Sequence, residues 1–189
     1  METPLSKAWM RNKAEISFVP VRPDDYPLLE RWMRRPHWRQ WWGEPAVELG
    51  YIRAMVGGRD STKPFIFRVG GRALGYIQYW SVGDAIRDAH DNDAPWLSDL
   101  PSDAIGVDLS IGVESELSKG IGSAVLSAFL RKLAREGYRC IVIDPDETNH
   151  RAIRAYEKAG FVAFGRHVGN DGVALLMRLP PDRKAELAR

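Results

Sequence analysis

The sequence predicts an α/β (α+β) fold, a single domain with a central mixed, mostly antiparallel twisted sheet flanked by helices. Three stretches carry that prediction. Ile105-Gly-Val-Asp-Leu-Ser-Ile-Gly-Val113 is an apolar strand that runs through a polar turn into Lys119-Gly120-Ile121-Gly122-Ser123, which opens a helix. Cys140-Ile-Val-Ile-Asp144-Pro145 is a second buried strand, followed by a helix with Asn149 near its N-cap and Gly160 at its C-terminal cap. Pro64–Val69 and Ala73–Trp80, joined by Gly70-Gly71, form a hairpin that feeds the Ile105 strand.

In chain order, residues 1–13 form an N-terminal extension without the apolar run of a signal peptide. Glu15–Arg22 alternates as a first strand. Asp24 or Asp25 caps a helix over Tyr26–Met33 whose Leu28, Leu29, Trp32 and Met33 share one face. Three of the seven tryptophans then fall within Trp38–Trp42, either a hydrophobic corner under a loop or the aromatic wall of a binding site. Glu48–Val56 is a helix ended by Gly57-Gly58. Residues 81–104 are an insertion too polar and irregular for a core element, with Asp84, Asp88, Asp91, Asp93, Asp99 and Asp103 against Arg87, a net −5 in a chain of +2. It is either a solvated loop or an acidic rim that concentrates a polycation. Val162–Gly165 and Gly172–Leu179 are the last strands, Pro180-Pro181 stops the chain's last strand, and 182–189 is a tail.

A chain of 189 residues can bury a substantial core as one domain, and 28% charged with 44% hydrophobic residues excludes a disordered or membrane-spanning class. The small net charge gives no indication of nucleic acid. Cys140, the single cysteine, reads as a core thiol; no His/Cys/Asp cluster has zinc spacing, so no metal is expected. His37 reads as a surface or hydrogen-bonded histidine.

Two glycines at the mouth of a helix let the backbone approach an anion, toward which the unpaired first-turn N–H groups and the positive end of the helix dipole point. With the capped helix and Gly160-Phe161 that follow, the chain resembles the GCN5-related N-acetyltransferase superfamily, whose glycine loop holds the acetyl-coenzyme A pyrophosphate. Within it, Trp41-Trp42-Gly43, Leu74-Gly75-Tyr76, Gly106-Val-Asp108, Lys119–Gly122, Asp144-Pro145, Asn149, Arg151–Arg154 and Tyr156–Phe161 are similar to the aminoglycoside 6′-N-acetyltransferases. Leu117 departs from the superfamily, where Arg or Gln commonly precedes the loop; a loop that works through backbone N–H groups tolerates the change.

The resemblance implies splayed fourth and fifth strands and acetyl-coenzyme A held by Leu109, Ile111, Val113, Lys119, Gly120, Ile121, Gly122, Ser123, Asn149, Ala152 and Tyr156. It also implies an aminoglycoside held by Trp41, Trp42, Asp84, Asp108, Asp144 and Asp171. Amine acetylation needs a group to take the ammonium proton and one to protonate the leaving thiolate. Asp108 is the expected base, against a plain solvent-facing strand residue; Tyr156 is the expected acid, against a core aromatic. The backbone N–H of Leu109 or a neighbour can polarise the thioester carbonyl. Asp144 and Asp171 also have ordinary readings as a cap before proline and a turn residue. The expectation is a cytoplasmic enzyme, monomer or homodimer, acting on a small polycation without nucleic-acid or membrane partners. The alternatives are acylation of a lysine-type or hydroxylamine siderophore precursor and a non-catalytic acyl-coenzyme A sensor.

Overall fold

The computed structural model describes residues 15–88, 94–169 and 172–183. The expected extension 1–13, Asp91, Asp93, Asp171 and the tail beyond Arg183 lie outside those residues, as does the side chain of Asp88. The elements follow in the order β1 (Ile16–Pro20), α1 (Tyr26–Met33), α2 (Pro36–Trp42), α3 (Pro45–Val56), β2 (Lys63–Val69), β3 (Arg72–Ser81), α4 (Val82–Asp88), β4 (Ile105–Ile111), α5 (Ile121–Arg135), β5 (Ile141–Ile143), α6 (His150–Ala159), β6 (Val162–Gly169) and β7 (Gly172–Arg178). They build one 7-stranded sheet in the order β1-β2-β3-β4-β5-β7-β6, in which β4 and β5 alone are parallel.

The period-2 alternation of the central strands divides the core between the two faces. Ile77 of β3 and Ile105 and Val107 of β4 point to one face, where Val125, Phe129 and Leu133 of α5 and Tyr156 and Ala159 of α6 cover them. Tyr76 of β3 points to the other face, onto Leu29 and Trp32 of α1, Trp38 of α2 and Leu49 and Ile52 of α3. The hairpin turn has both Gly70 (φ +57°) and Gly71 (φ +78°) left-handed, as a two-residue turn between twisted strands requires.

Four local readings are corrected. Asp25 does not cap α1 with its side chain; its Oδ2 accepts the Arg22 N–H at 2.9 Å, closing the 3-10 turn that leads into the helix. The tryptophan-rich stretch is no loop but the helix α2, started by Pro36, which has the φ of a first helical turn and no N–H to lose there. Within residues 81–104 the described residues form α4 and a 3-10 turn at Pro95–Asp99, with a small core of Val82, Leu97 and Ala104 against Val142 of β5. Burying those three apolar side chains offsets the cost of ordering a polar stretch. β6 also runs further than Gly165, to Gly169.

Candidate active site

Strand β4 touches β5 only at Ile105↔Ile141 and Gly106↔Val142, and beyond Gly106 the two diverge. The Ile105 N–H donates to the Cys140 carbonyl at 3.0 Å on the β5 side, and the Gly112 N–H donates to the Leu74 carbonyl at 2.8 Å on the β3 side. Since backbone groups alternate in direction along a strand, the N–H groups of Val107, Leu109 and Ile111 face the gap between β4 and β5. The Ile111 carbonyl faces it too and accepts a hydrogen bond from His37 Nε2 at 2.9 Å.

A cleft of about 600 Å³ passes through this gap. One end is walled by Leu117, Ser118, Gly120, Gly122 and Ser123 and by Asn149, Arg151, Ala152, Arg154, Ala155 and Lys158. Gly120 sits at φ +79° with open space where a Cβ would stand, so the chain turns into α5 without covering the N–H groups of its first turn. Buried Glu116 anchors the loop, with Lys119 Nζ 3.4 Å and Arg72 Nη1 3.8 Å from its carboxylate. Asn149 Oδ1 accepts the Ala152 N–H at 3.1 Å and so starts α6 at the cleft edge. Backbone donors, a helix N-terminus and three cationic side chains make this end a receptor for an anionic chain.

The other end is built of side chains. The register pairs Gln78 with Asp108 and Trp80 with Gly106, so that Tyr76, Gln78, Trp80 and Asp108 share one face of the sheet. The Tyr76 hydroxyl donates to Gln78 Oε1; Gln78 Nε2 donates to Asp108 Oδ2 at 2.8 Å, and Trp80 Nε1 donates to the same oxygen at 3.1 Å. Both of these donors are on Oδ2, and among the described residues no side-chain hydrogen bond is made to Asp108 Oδ1. Trp80 reaches this position because Gly106 carries no side chain: a Cβ there would lie 2.1 Å from the indole. Trp80 also packs against the small core of Val82, Leu97, Ala104 and Val142. Aromatic side chains close the opposite wall, where Trp38 is fully buried and carries Trp42, with ring centroids 5.5 Å apart. Trp41, Trp42 and Tyr51 line the cleft itself.

The electrostatics of this end are those of crowded acids in a partly dry site. Desolvation raises the Asp108 carboxyl above its ordinary range, against the lowering effect of the Gln78 and Trp80 hydrogen bonds. Desolvation and then the Asp108 charge push Asp144 up to about 7, and the same two causes push Glu48 up to about 7. Tyr156, 7% exposed at the cleft wall, is raised well above the ordinary phenol value by burial and by the charges of Asp108 and Asp144, so it stays protonated at neutral pH. Burial also raises the thiol of Cys140, half-buried rather than fully enclosed, which leaves it little thiolate at neutral pH.

Of the residues expected from the sequence, Asp108, Tyr156, Leu109, Ile111, Gly120, Gly122, Ser123, Asn149, Ala152, Trp41, Trp42 and Asp144 all line this cleft. Four described ones do not. The Val113 N–H is turned to the Leu74 carbonyl at 3.3 Å, Ile121 is buried in the core beneath α5, and Lys119 is turned to Glu116. Asp84 is the clear correction: it pairs with Arg87 on α4 and lines a separate depression with Lys63, Tyr79 and Asp103. The acidic insertion therefore brings its core, not Asp84, to the site. Glu48, Gln78, Trp80 and Tyr51 are not among the expected residues. A polar Gln78 alternating with Tyr76 and Trp80 in an otherwise apolar strand is the available signal for the shared face, whereas nothing local marks Glu48. Among the described residues no group of three or more His, Cys, Asp or Glu side chains is placed to hold a metal ion.

The family model for the acetyltransferase (GNAT) domain matches residues 22–168. The chain is 32% identical over 162 residues to the aminoglycoside N(6′)-acetyltransferase type 1 of Klebsiella pneumoniae, covering 81% of this chain and 77% of that protein. It is 30% identical over 173 residues to the lysine N-acyltransferase MbtK of Mycobacterium sp. (strain MCS), covering 86% and 67%. Its fold matches the structure of AAC(6′)-Ib in complex with paromomycin and acetyl-coenzyme A at a TM-score of 0.77 and 26% identity, over 93% of this chain and 98% of the other. The ribostamycin and coenzyme A complex of AAC(6′)-Ib matches at 0.78 and 26%, again over 93% and 98%. On the extent of these matches, and on a sheet that parts beside a glycine loop, the chain belongs to the GNAT acetyltransferase family.

Proposed function

We propose that the protein is an acetyl-coenzyme A-dependent N-acetyltransferase whose acceptor is the 6′-amine of an aminoglycoside. The observation that carries this reading is the convergence of Asp108, Asp144 and Glu48 on one aromatic-walled cleft that continues to the glycine loop. A ligand bearing several ammonium groups suits three carboxylates, and the relatives crystallised with paromomycin, ribostamycin and kanamycin support the class. Acetyl-coenzyme A, when bound, supplies the activated acetyl group.

The chain's own groups divide the remaining work. Asp108 attracts the ammonium and takes its proton on Oδ1, directly or through water, while Gln78 and Trp80 hold Oδ2. A raised carboxyl is a better proton acceptor than an ordinary one, and the two donors oppose the rise by favouring the carboxylate. The Leu109 N–H, facing the gap, is positioned to polarise the reacting carbonyl. Tyr156 keeps its proton until a sulfur anion needs one. The reading takes a cytoplasmic enzyme working on a small polycation, without nucleic-acid or membrane partners; no described helix is long and apolar enough to cross a membrane.

The similarity to a lysine N-acyltransferase makes a lysine-type amine the second candidate acceptor. Steady-state assays with acetyl-coenzyme A and kanamycin, a lysine-type amine or a histone peptide separate the two, with NMR of the product to locate the new amide. Kanamycin should have the highest kcat/KM and be modified at the 6′ nitrogen; a preference for the lysine-type amine would replace the reading.

A further inference from the structure

The carboxylates near the cleft differ in what the protein gives them. Asp108 has two donors on one oxygen, and Asp146 accepts from the Thr148 N–H and hydroxyl. Glu48, half-buried on the cleft side of α3, has no hydrogen bond or ion pair from any described residue. Its Oε1 lies beside Gly43, where an added Cβ would approach it to 3.6 Å, and Tyr51 stands one turn along the same helix at the cleft wall. A desolvated carboxylate without a counter-ion is costly, and packing alone would be served as well by an amide.

We propose that Glu48 forms a second cation subsite, which takes an ammonium group of the substrate other than the one that is acetylated. The inference rests on the polyamine reading above and deepens it. A coenzyme is anionic and would be repelled here, while Arg151, Arg154 and Lys158 sit at the other end of the cleft. An ammonium at Glu48 supplies the counter-charge that the described cations of the protein do not, and the Trp41, Trp42 and Tyr51 wall limits the water that competes for it.

Proton linkage follows from the same geometry. The Asp108 charge acts on Glu48 and the Glu48 charge on the Tyr76 hydroxyl, while His37 of α2, Tyr51 of α3 and Asp144 after β5 are the further titratable groups that line the Asp108 end of the cleft. With its carboxyl pushed up to about 7, Glu48 exchanges its proton near neutral pH in the free enzyme. Binding an ammonium there favours the carboxylate, so binding releases protons to the buffer.

The test compares wild type, Glu48→Gln and Glu48→Asp with two acceptors, kanamycin and a sugar carrying a single amine, 6-amino-6-deoxyglucose. Calorimetry of kanamycin binding at pH 7 in buffers of different ionisation enthalpy counts the protons, and melting curves check that each variant is folded. Glu48→Gln should raise the KM and Kd for kanamycin about tenfold, the worth of one charge-assisted contact. It should leave the values for the single-amine sugar and for acetyl-coenzyme A within about twofold and lower the number of protons released, and Glu48→Asp should recover part of the affinity. Equal losses for both amines, or unchanged kanamycin affinity and proton count in Glu48→Gln, overturn the subsite while the proposed function stands. A wild-type enzyme inert toward every aminoglycoside overturns both.

Discussion

At the glycine loop the cleft wall is mostly backbone: Gly120 at φ +79°, the first turn of α5, and Asn149 capping α6 with its side chain. At Asp108 the wall is side chain, contributed by α2, α3, β3, β4 and β5. The first end is assembled from nearly contiguous sequence, and its chemistry comes from groups every residue carries. The second is assembled from residues as distant as Glu48 and Asp144, and its chemistry depends on which side chains the sheet register brings together. A backbone site is therefore vulnerable chiefly where a residue forces φ or covers an N–H group. A side-chain site is vulnerable at every member and at the residues that hold each member in place.

The largest effect should follow from removing the proton acceptor at the side-chain end. Asp108→Asn is near-isosteric but cannot accept the ammonium proton, so kcat with the preferred amine should fall by roughly 10² or more, with acetyl-coenzyme A affinity unchanged. Stopped-flow or steady-state rates beside a coenzyme titration measure both; wild-type turnover would break the comparison at its centre.

The second effect belongs to the backbone end. Gly120→Val places a β-branched residue at φ +79°, a conformation costing such residues about 1–3 kcal/mol, and sets bulk in the open space above the loop. Acetyl-coenzyme A affinity should fall by roughly 10- to 100-fold while amine binding, read by calorimetry without coenzyme, is kept. A loss of both would mean that the two ends are not separable.

A smaller effect sharpens what holds Asp108. Trp80→Phe removes an N–H that lowers the Asp108 carboxyl, so that carboxyl should rise and the acidic limb of the kcat/KM profile should move to higher pH. Activity should drop on the acidic side of the profile and recover as the pH is raised, because a carboxyl with a raised value needs a higher pH to be the base. A uniform loss at all pH values would assign Trp80 to packing alone.

The smallest effect is expected outside both ends. Asp84, paired with Arg87 and lining a different depression, should tolerate change to Asn with KM for kanamycin within about twofold of wild type, at low as well as high salt. A salt-sensitive rise in KM would restore the acidic insertion as a rim that attracts substrate.

Much of the backbone end is legible in the amino-acid sequence. The apolar run of β4, the glycines before α5 and the Asn149 and Gly160 caps of α6 are local signals, each set by the φ or hydrogen-bond demand of a few residues. Asp108 is legible because a charged residue between Val107 and Leu109 must face away from the core that holds its neighbours. The tryptophan stretch is legible only as two alternatives, and the helix it forms divides its rings between core and site, with Trp38 buried and Trp41 and Trp42 at the cleft. The order within residues 81–104 is hidden because polar residues there outnumber Val82, Leu97 and Ala104, yet those few residues are spaced to meet Val142 across the fold.

By itself the sequence determined the order of the seven strands and of α1, α3, α5 and α6, the helix N-terminus that opens beside β4, and the presence of a carboxylate and a phenol on elements flanking it. Those follow from interactions over four residues or fewer. Only the tertiary structure decided that Gln78 and Trp80 would bond the same oxygen of Asp108, that Glu48 would stand in the same cleft without a partner among the described residues, and that Asp84 would not reach it. Strand register, the departure of β4 from β5 and the docking of α3 are set by packing between residues far apart in the chain, and a one-residue slip in any of them would face different side chains into the cleft.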